Sequence, residues 1–122
     1  MKIVLPNLPP KEANPNNNSH YYTRSKVRRE QQEQIIGYVL SISKRPPEPL
    51  NKAHITITWK SADNRNRDID NLFSAMKGSL DGLVSAGVII DDSAKHVSYT
   101  LKYEWGDGIE ESQTVIEIEG TE

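Results

Sequence analysis

The chain has 122 residues, the length of one domain, and its apolar residues make up only 35% of it. With 15 basic against 17 acidic side chains and no cysteine, it excludes a disulfide scaffold, a thiolate zinc site and a thiol nucleophile. No apolar run approaches the roughly 18 residues of a membrane span, and MKIVLPNLPPKE is too short of apolar residues for a signal peptide; a soluble, cytoplasmic protein is expected.

Residues 2–5 (KIVL) predict a short strand stopped by prolines, and ANPNNNS at 13–19 a loop. A helix is expected over about 22–43, where Val27, Ile35, Tyr38, Val39 and Ile42 recur at helical spacing and Gln31 fills the gap in the stripe. Its first turns carry Arg24, Lys26, Arg28 and Arg29. Residues 53–60 (AHITITWK) alternate as a half-buried strand, with Ile55, Ile57 and Trp59 on one face. A second amphipathic helix is expected over about 71–86, through Leu72, Phe73, Met76, Leu80, Leu83 and Val84, with Gly87 as its stop. VII at 88–90 reads as a brief buried segment. KHVSYTLKYEW, GDG and SQTVIEIEG read as a β-hairpin. These elements predict an α+β fold, a single two-layer domain spanning 1–122, with a mixed β-sheet packed by two main helices.

Charge is unevenly spread. Residues 1–67 contain 12 Lys/Arg and 5 Asp/Glu, and residues 68–122 contain 3 and 12. Such asymmetry suits a chain that holds a polyanion with one surface and a cation with another.

The densest polar cluster is Arg65, Arg67, Asp68, Asp70 and Asn71, followed by Asp91 and Asp92. Asp70 also suits a helix N-cap, but that leaves Asp68 and the second acidic pair unexplained. Carboxylates converging from two segment ends call for a cation, and hard oxygen ligands without His or Cys favour Mg²⁺, with Mn²⁺ possible. A calcium loop fails, because Arg65 stands where a ligand is needed and the required glycine is missing. Arg65 and Arg67 suit a phosphodiester, which guanidinium forks can grip. Tyr21 and Tyr22 beside the basic helix start add flat rings for stacking on bases. His20, His54 and His96 lack ligand spacing, so solvated or hydrogen-bonding roles are expected. Trp59 and Trp105 are expected in the core or a dimer interface.

At this point a family resemblance emerges. Asn17-Asn18-Ser19-His20-Tyr21-Tyr22-Thr23-Arg24, Arg67-Asp68-Ile69-Asp70-Asn71-Leu72 and Ile90-Asp91-Asp92-Ser93 resemble the RusA-type Holliday junction resolvases. The family consists of small, phage-associated, homodimeric endonucleases that cut four-way DNA junctions with Mg²⁺. The resemblance implies that Asp68, Asp70 and Asp92 are catalytic and metal-binding, with Asp91 as their neighbour. It also implies an essential lysine, expected four residues after Asp70, where this chain has Ser74; anchored on the downstream run K-x-x-L-D-x-L, the lysine is Lys77. On one continuous helix Lys77 would face the same side as Asp70. The implied reaction is metal-assisted hydrolysis of branched double-stranded DNA by paired symmetric nicks. DNA-binding roles are expected for Asn18, Tyr21, Tyr22, Arg24, Lys26, Arg28, Arg29, Arg65 and Arg67. A homodimer is expected, with Tyr99, Leu101, Tyr103 and Trp105 forming part of its face. The alternatives are a non-catalytic junction-binding protein on the same scaffold and a metal-stabilised protein–protein module.

Overall fold

The computed structural model describes residues 1–15, 20–42 and 45–121. Four strands, β1 (Lys2–Pro6), β2 (Ala53–Ser61), β3 (Val97–Trp105) and β4 (Gln113–Gly120), form one mixed sheet in the order β1-β4-β2-β3. Helices α1 (Tyr21–Ile42), α2 (Ile69–Ser74) and α3 (Lys77–Ser85) complete an α+β domain, with a 3-10 turn at Lys11–Ala13. No described helix is long and apolar enough to cross a membrane.

Alternation along each strand decides which face the helices cover. Register places Ile55 opposite Tyr99 and Ile118, and Ile57 opposite Leu101 and Ile116, all on one face. Ile3, Ile55, Ile57, Trp59 and Ile116 are fully buried there, in one core with Ile35 and Val39 of α1 and Leu80 and Leu83 of α3. The other face is polar, and His54 lies on it with its two ring nitrogens 2.6 Å from Ser98 Oγ and 2.7 Å from Thr100 Oγ1.

β3 and β4 do not form the expected hairpin. β2 lies between them, pairing with β3 in parallel and with β4 antiparallel. The physical reason is burial. β2 has the longest run of apolar alternation, so covering both its edges removes most surface from water, and the loop after Gly106 is long enough to step across one strand. Parallel pairing of β2 and β3 needs a crossover connection, which residues 62–96 supply through α2 and α3.

The second expected helix is two. At Ala75 and Met76 ψ rises to 1° and 0°, and the Met76 amide bonds to the Phe73 carbonyl at 2.9 Å, one residue short of an α-helical bond. The Ala75 carbonyl instead accepts from Gln31 Nε2 of α1 at 2.8 Å, so the polar residue in the stripe of α1 secures the break. The break turns Gly78 and Gly82 towards α1. Their missing side chains let the two helices touch: a Cβ on Gly82 would lie 2.7 Å from Ile35 Cβ. Gly87, at φ +78°, ends α3 in a Schellman motif, with Val88 N–H on the Leu83 carbonyl and Gly87 N–H on the Val84 carbonyl.

Candidate active site

α2 opens at Ile69, two residues earlier than expected, so Asp68 rather than Asp70 is its N-cap residue. Asp68 makes no side-chain cap bond; its carboxylate lies 3.5 Å from Asn71 Nδ2. Asp70 is exposed in the first turn, where a carboxylate suits the helix dipole, and has no polar partner among the described residues.

Asp91 and Asp92 follow the VII segment, which bridges to Leu50 beside the start of β2. Asp91 is exposed, and its carboxyl is held below the usual range, first by the Ser93 hydroxyl and then by the Asp92 amide. Half-buried Asp92 accepts from Lys77 Nζ at 2.8 Å, and Lys77 also reaches Asp81 Oδ1 at 3.0 Å. These contacts raise the Lys77 pKa, Asp92 contributing most. Nearby Tyr99 is pushed up to about 12, chiefly by burial and secondly by the Asp92 charge.

Lys77 therefore reaches Asp92 from the first turn of α3, not along one helix shared with Asp70. Asp81, one turn later, is a second anchor that carried no expected role. Its signal was present in the i, i+4 spacing of Lys77 and Asp81.

The carboxylates do not gather. Arg67, beside Asp68, donates to Tyr103 Oη. At the far end of α2, Phe73 packs edge-on against Tyr99, with centroids 4.9 Å apart. Tyr103 and Tyr99 are four residues apart on one strand, roughly 13 Å, so the two ends of α2 lie against different parts of β3. Among the described residues no three His, Cys, Asp or Glu side chains lie close enough to hold a metal ion. The donors suit Mg²⁺ in kind, as hard and mostly exposed oxygens; their spacing here does not.

The expected DNA-binding residues divide into two sets. Tyr21 and Tyr22 are 72% and 77% exposed at the start of α1, where His20 Nδ1 accepts from the Tyr22 amide at 3.1 Å. Lys26 and Arg29 are exposed, Arg24 and Arg28 half-buried. The buried Arg28 Nε has no hydrogen-bond partner among the described residues, and Lys26 lies 4.0 Å from Glu30. The contact of Gly78 with Arg28 sets this basic end of α1 beside the α3 end that carries Lys77. Asn18 lies outside the described residues.

Arg67 is committed within the chain. Its guanidinium forks onto Asp63, Nη1 to Oδ1 at 2.9 Å and Nη2 to Oδ2 at 3.1 Å, and also donates to Ser61 and Tyr103. Asp63 is held well below the usual carboxylate range, Arg67 being the largest cause and the Arg65 amide the next. Arg67 thus clamps its own loop, whereas Arg65 projects exposed with no side-chain partner among the described residues. Of the four residues expected at a dimer face, Tyr99, Leu101 and Tyr103 pack on the core of their own chain, and Trp105 alone is exposed.

No family model matches the sequence, and no curated protein matches it.

Proposed function

We propose that the chain is a structure-selective DNA endonuclease of the RusA type, a cytoplasmic homodimer that resolves four-way junctions and uses Mg²⁺ as cofactor. The observation that carries this reading is the contact of Lys77 with Asp92. It joins two motif residues 15 positions apart, from separate elements, that the resemblance assigns to one site. The basic, tyrosine-bearing start of α1 beside them offers grip on a phosphate backbone.

Within the site, Lys77 would lend positive charge to a phosphate, and Asp92 and Asp81 would aim it. Asp70, exposed and without a polar partner among the described residues, is open to substrate or cation. No three metal-binding side chains gather among the described residues, so the Mg²⁺ requirement rests on the resemblance and on donor chemistry.

The test is incubation with a labelled synthetic four-way junction, with and without Mg²⁺. Paired nicks only with the ion are expected. Salt-dependent binding without cleavage in either condition would replace this reading with a non-catalytic junction-binding protein.

A further inference from the structure

Trp105 is 61% exposed at the end of β3, whereas Trp59, in the matching alternation on β2, is fully buried. The ring is not loose. It stacks on Tyr103 with centroids 5.7 Å apart and planes 21° from parallel. Tyr103 is fixed in turn, accepting from Arg67 Nη1 at 2.9 Å and donating to the Arg65 carbonyl at 3.3 Å. One face of the indole is thus backed by a held ring, leaving the exposed face for a flat partner.

The surroundings select the kind of partner. Trp105 and Arg65 line one hollow of about 160 Å³ with Asn64 and Asn66. Across the same loop, Arg65 and Asn66 also line a groove of about 520 Å³ together with Lys11 and Asp68. Asp63 is neutralised by Arg67. Glu104 belongs to the other face of the sheet, 4.0 Å from Lys60. Along this path Arg65 and Lys11 are cations without an ion pair among the described residues, and Asp68 is the carboxylate in the groove lining, so the balance there is positive. A flat aromatic beside a guanidinium that has no side-chain partner among the described residues, leading into a groove with Lys11 and Arg65 against the one carboxylate of Asp68, suits a nucleobase followed by its phosphates.

We infer that Trp105 is a stacking platform for an unpaired base of a DNA strand whose backbone crosses Arg65 into the groove beside Lys11. The surface takes single-stranded nucleotides, such as those exposed where a branched DNA opens. The inference rests on the nucleic-acid reading above and deepens it, but does not require cleavage.

The test uses the whole chain without added metal and oligothymidylate as the probe. Binding is followed by tryptophan fluorescence and by anisotropy of a labelled strand. The strand is expected to quench Trp105 saturably, since Trp59 is buried. Trp105→Leu should weaken strand binding by about 5- to 150-fold, while Trp105→Phe, which keeps a ring, loses much less. Arg65→Ala should weaken binding and lower the salt slope by about one.

Strand binding with no quench, or with wild-type affinity in Trp105→Leu, overturns the platform. So does a shift from dimer to monomer in Trp105→Leu by light scattering together with protection of Trp105 from acrylamide, because a second copy would then cover the ring. No binding of any DNA removes both this inference and the proposed function. Saturable quenching by a protein that leaves four-way junctions uncut in Mg²⁺ supports the platform and removes only the endonuclease.

Discussion

Gly78 of α3 lies so close to Arg28 of α1 that a side chain at Gly78 would collide with the Arg28 backbone, its Cβ 2.9 Å from the Arg28 Cα and 2.7 Å from Gln31 Oε1. Backbone cannot swing aside as a long side chain can. Gly78→Ala is therefore expected to push the helices apart and destabilise the fold by about 1–3 kcal/mol, as overpacking does. Chemical denaturation checks it. Because Lys77 is adjacent, the same variant is expected to loosen its hold on Asp92.

Gly37 gives the opposite sign. It lies exposed within α1, and an added Cβ would meet nothing within 4 Å. Gly37→Ala should stabilise the chain by about 0.5–1 kcal/mol, because alanine loses less backbone freedom in a helix. A midpoint unchanged or lowered in the same denaturation experiment would contradict the packing described for α1.

The strands were legible because their alternation is regular, Ile55, Ile57 and Trp59 giving the face of β2 without further help, and α1 because its stripe keeps helical spacing with Gln31 standing in for an apolar residue. The break at Ala75 and Met76 was not, since the stripe from Leu72 to Leu83 continues across it at helical spacing. Only the buried carbonyl that Gln31 satisfies reveals it. The hairpin reading failed for a related reason. Alternation identifies a strand but not its neighbour, and the choice of β2 as partner for both β3 and β4 is made by the whole sheet. At the site, spacing and resemblance linked Lys77 with Asp92, but could not show that Arg67 is spent on Asp63. Nor could pattern separate Trp59 from Trp105, which both continue an apolar alternation; only the sheet end beyond the helices distinguishes them.

The Arg67–Asp63 clamp has an acid signature. The fork lowers the Asp63 pKa in the folded state, so its contribution is present above the unfolded value of about 3.9 and lost as pH falls through the lower native value. Carboxyl-carbon NMR should find Asp63 still ionised near pH 3, where an ordinary aspartate is mostly protonated. In Arg67→Met its titration should move up towards the ordinary range. An ordinary titration in the native chain would mean that the fork does not persist in solution.

If the proposed function holds, substitutions at the acidic residues separate binding from chemistry. Asp70→Asn is expected to abolish junction cleavage while leaving junction binding intact or stronger, because losing a carboxylate also removes repulsion of phosphate. Gel-shift and cleavage assays on one labelled junction check both halves. Wild-type cutting by both Asp70→Asn and Asp68→Asn would remove these residues from the site.

Lys77 and Ser74 are the two candidates for the lysine that the resemblance implies, and of the two Lys77 is the one that contacts an acidic motif residue. Lys77→Ala should lower turnover by about a hundredfold, the scale of losing one charge-stabilising donor, while changing junction affinity little. Ser74→Ala should leave both near wild type. Rate constants measured at saturating enzyme separate the two effects. Equal, mild losses in both variants would leave this chain without an equivalent of that lysine.

The proposed homodimer rests on the proposed substrate rather than on a face already seen. A four-way junction is close to two-fold symmetric, and productive resolution needs two opposed nicks in one binding event. On the proposed function, one chain with one Lys77–Asp92 pair would supply a single cutting centre, whereas a two-fold dimer would supply two, related as the substrate's strands are. The half-buried Tyr99, Leu101 and Tyr103 are already used within their own chain, so the face must lie elsewhere. β3 is an edge strand of nine residues, and its outer backbone groups have no strand partner among the described residues. Two such edges joined antiparallel would extend the sheet across the two-fold axis. Light scattering at micromolar concentration should return twice the 13.8 kDa of one chain, and a proline at Thr100, inside β3, should shift that mass towards the monomer. A wild-type monomer that still makes paired nicks would sink the symmetric mechanism.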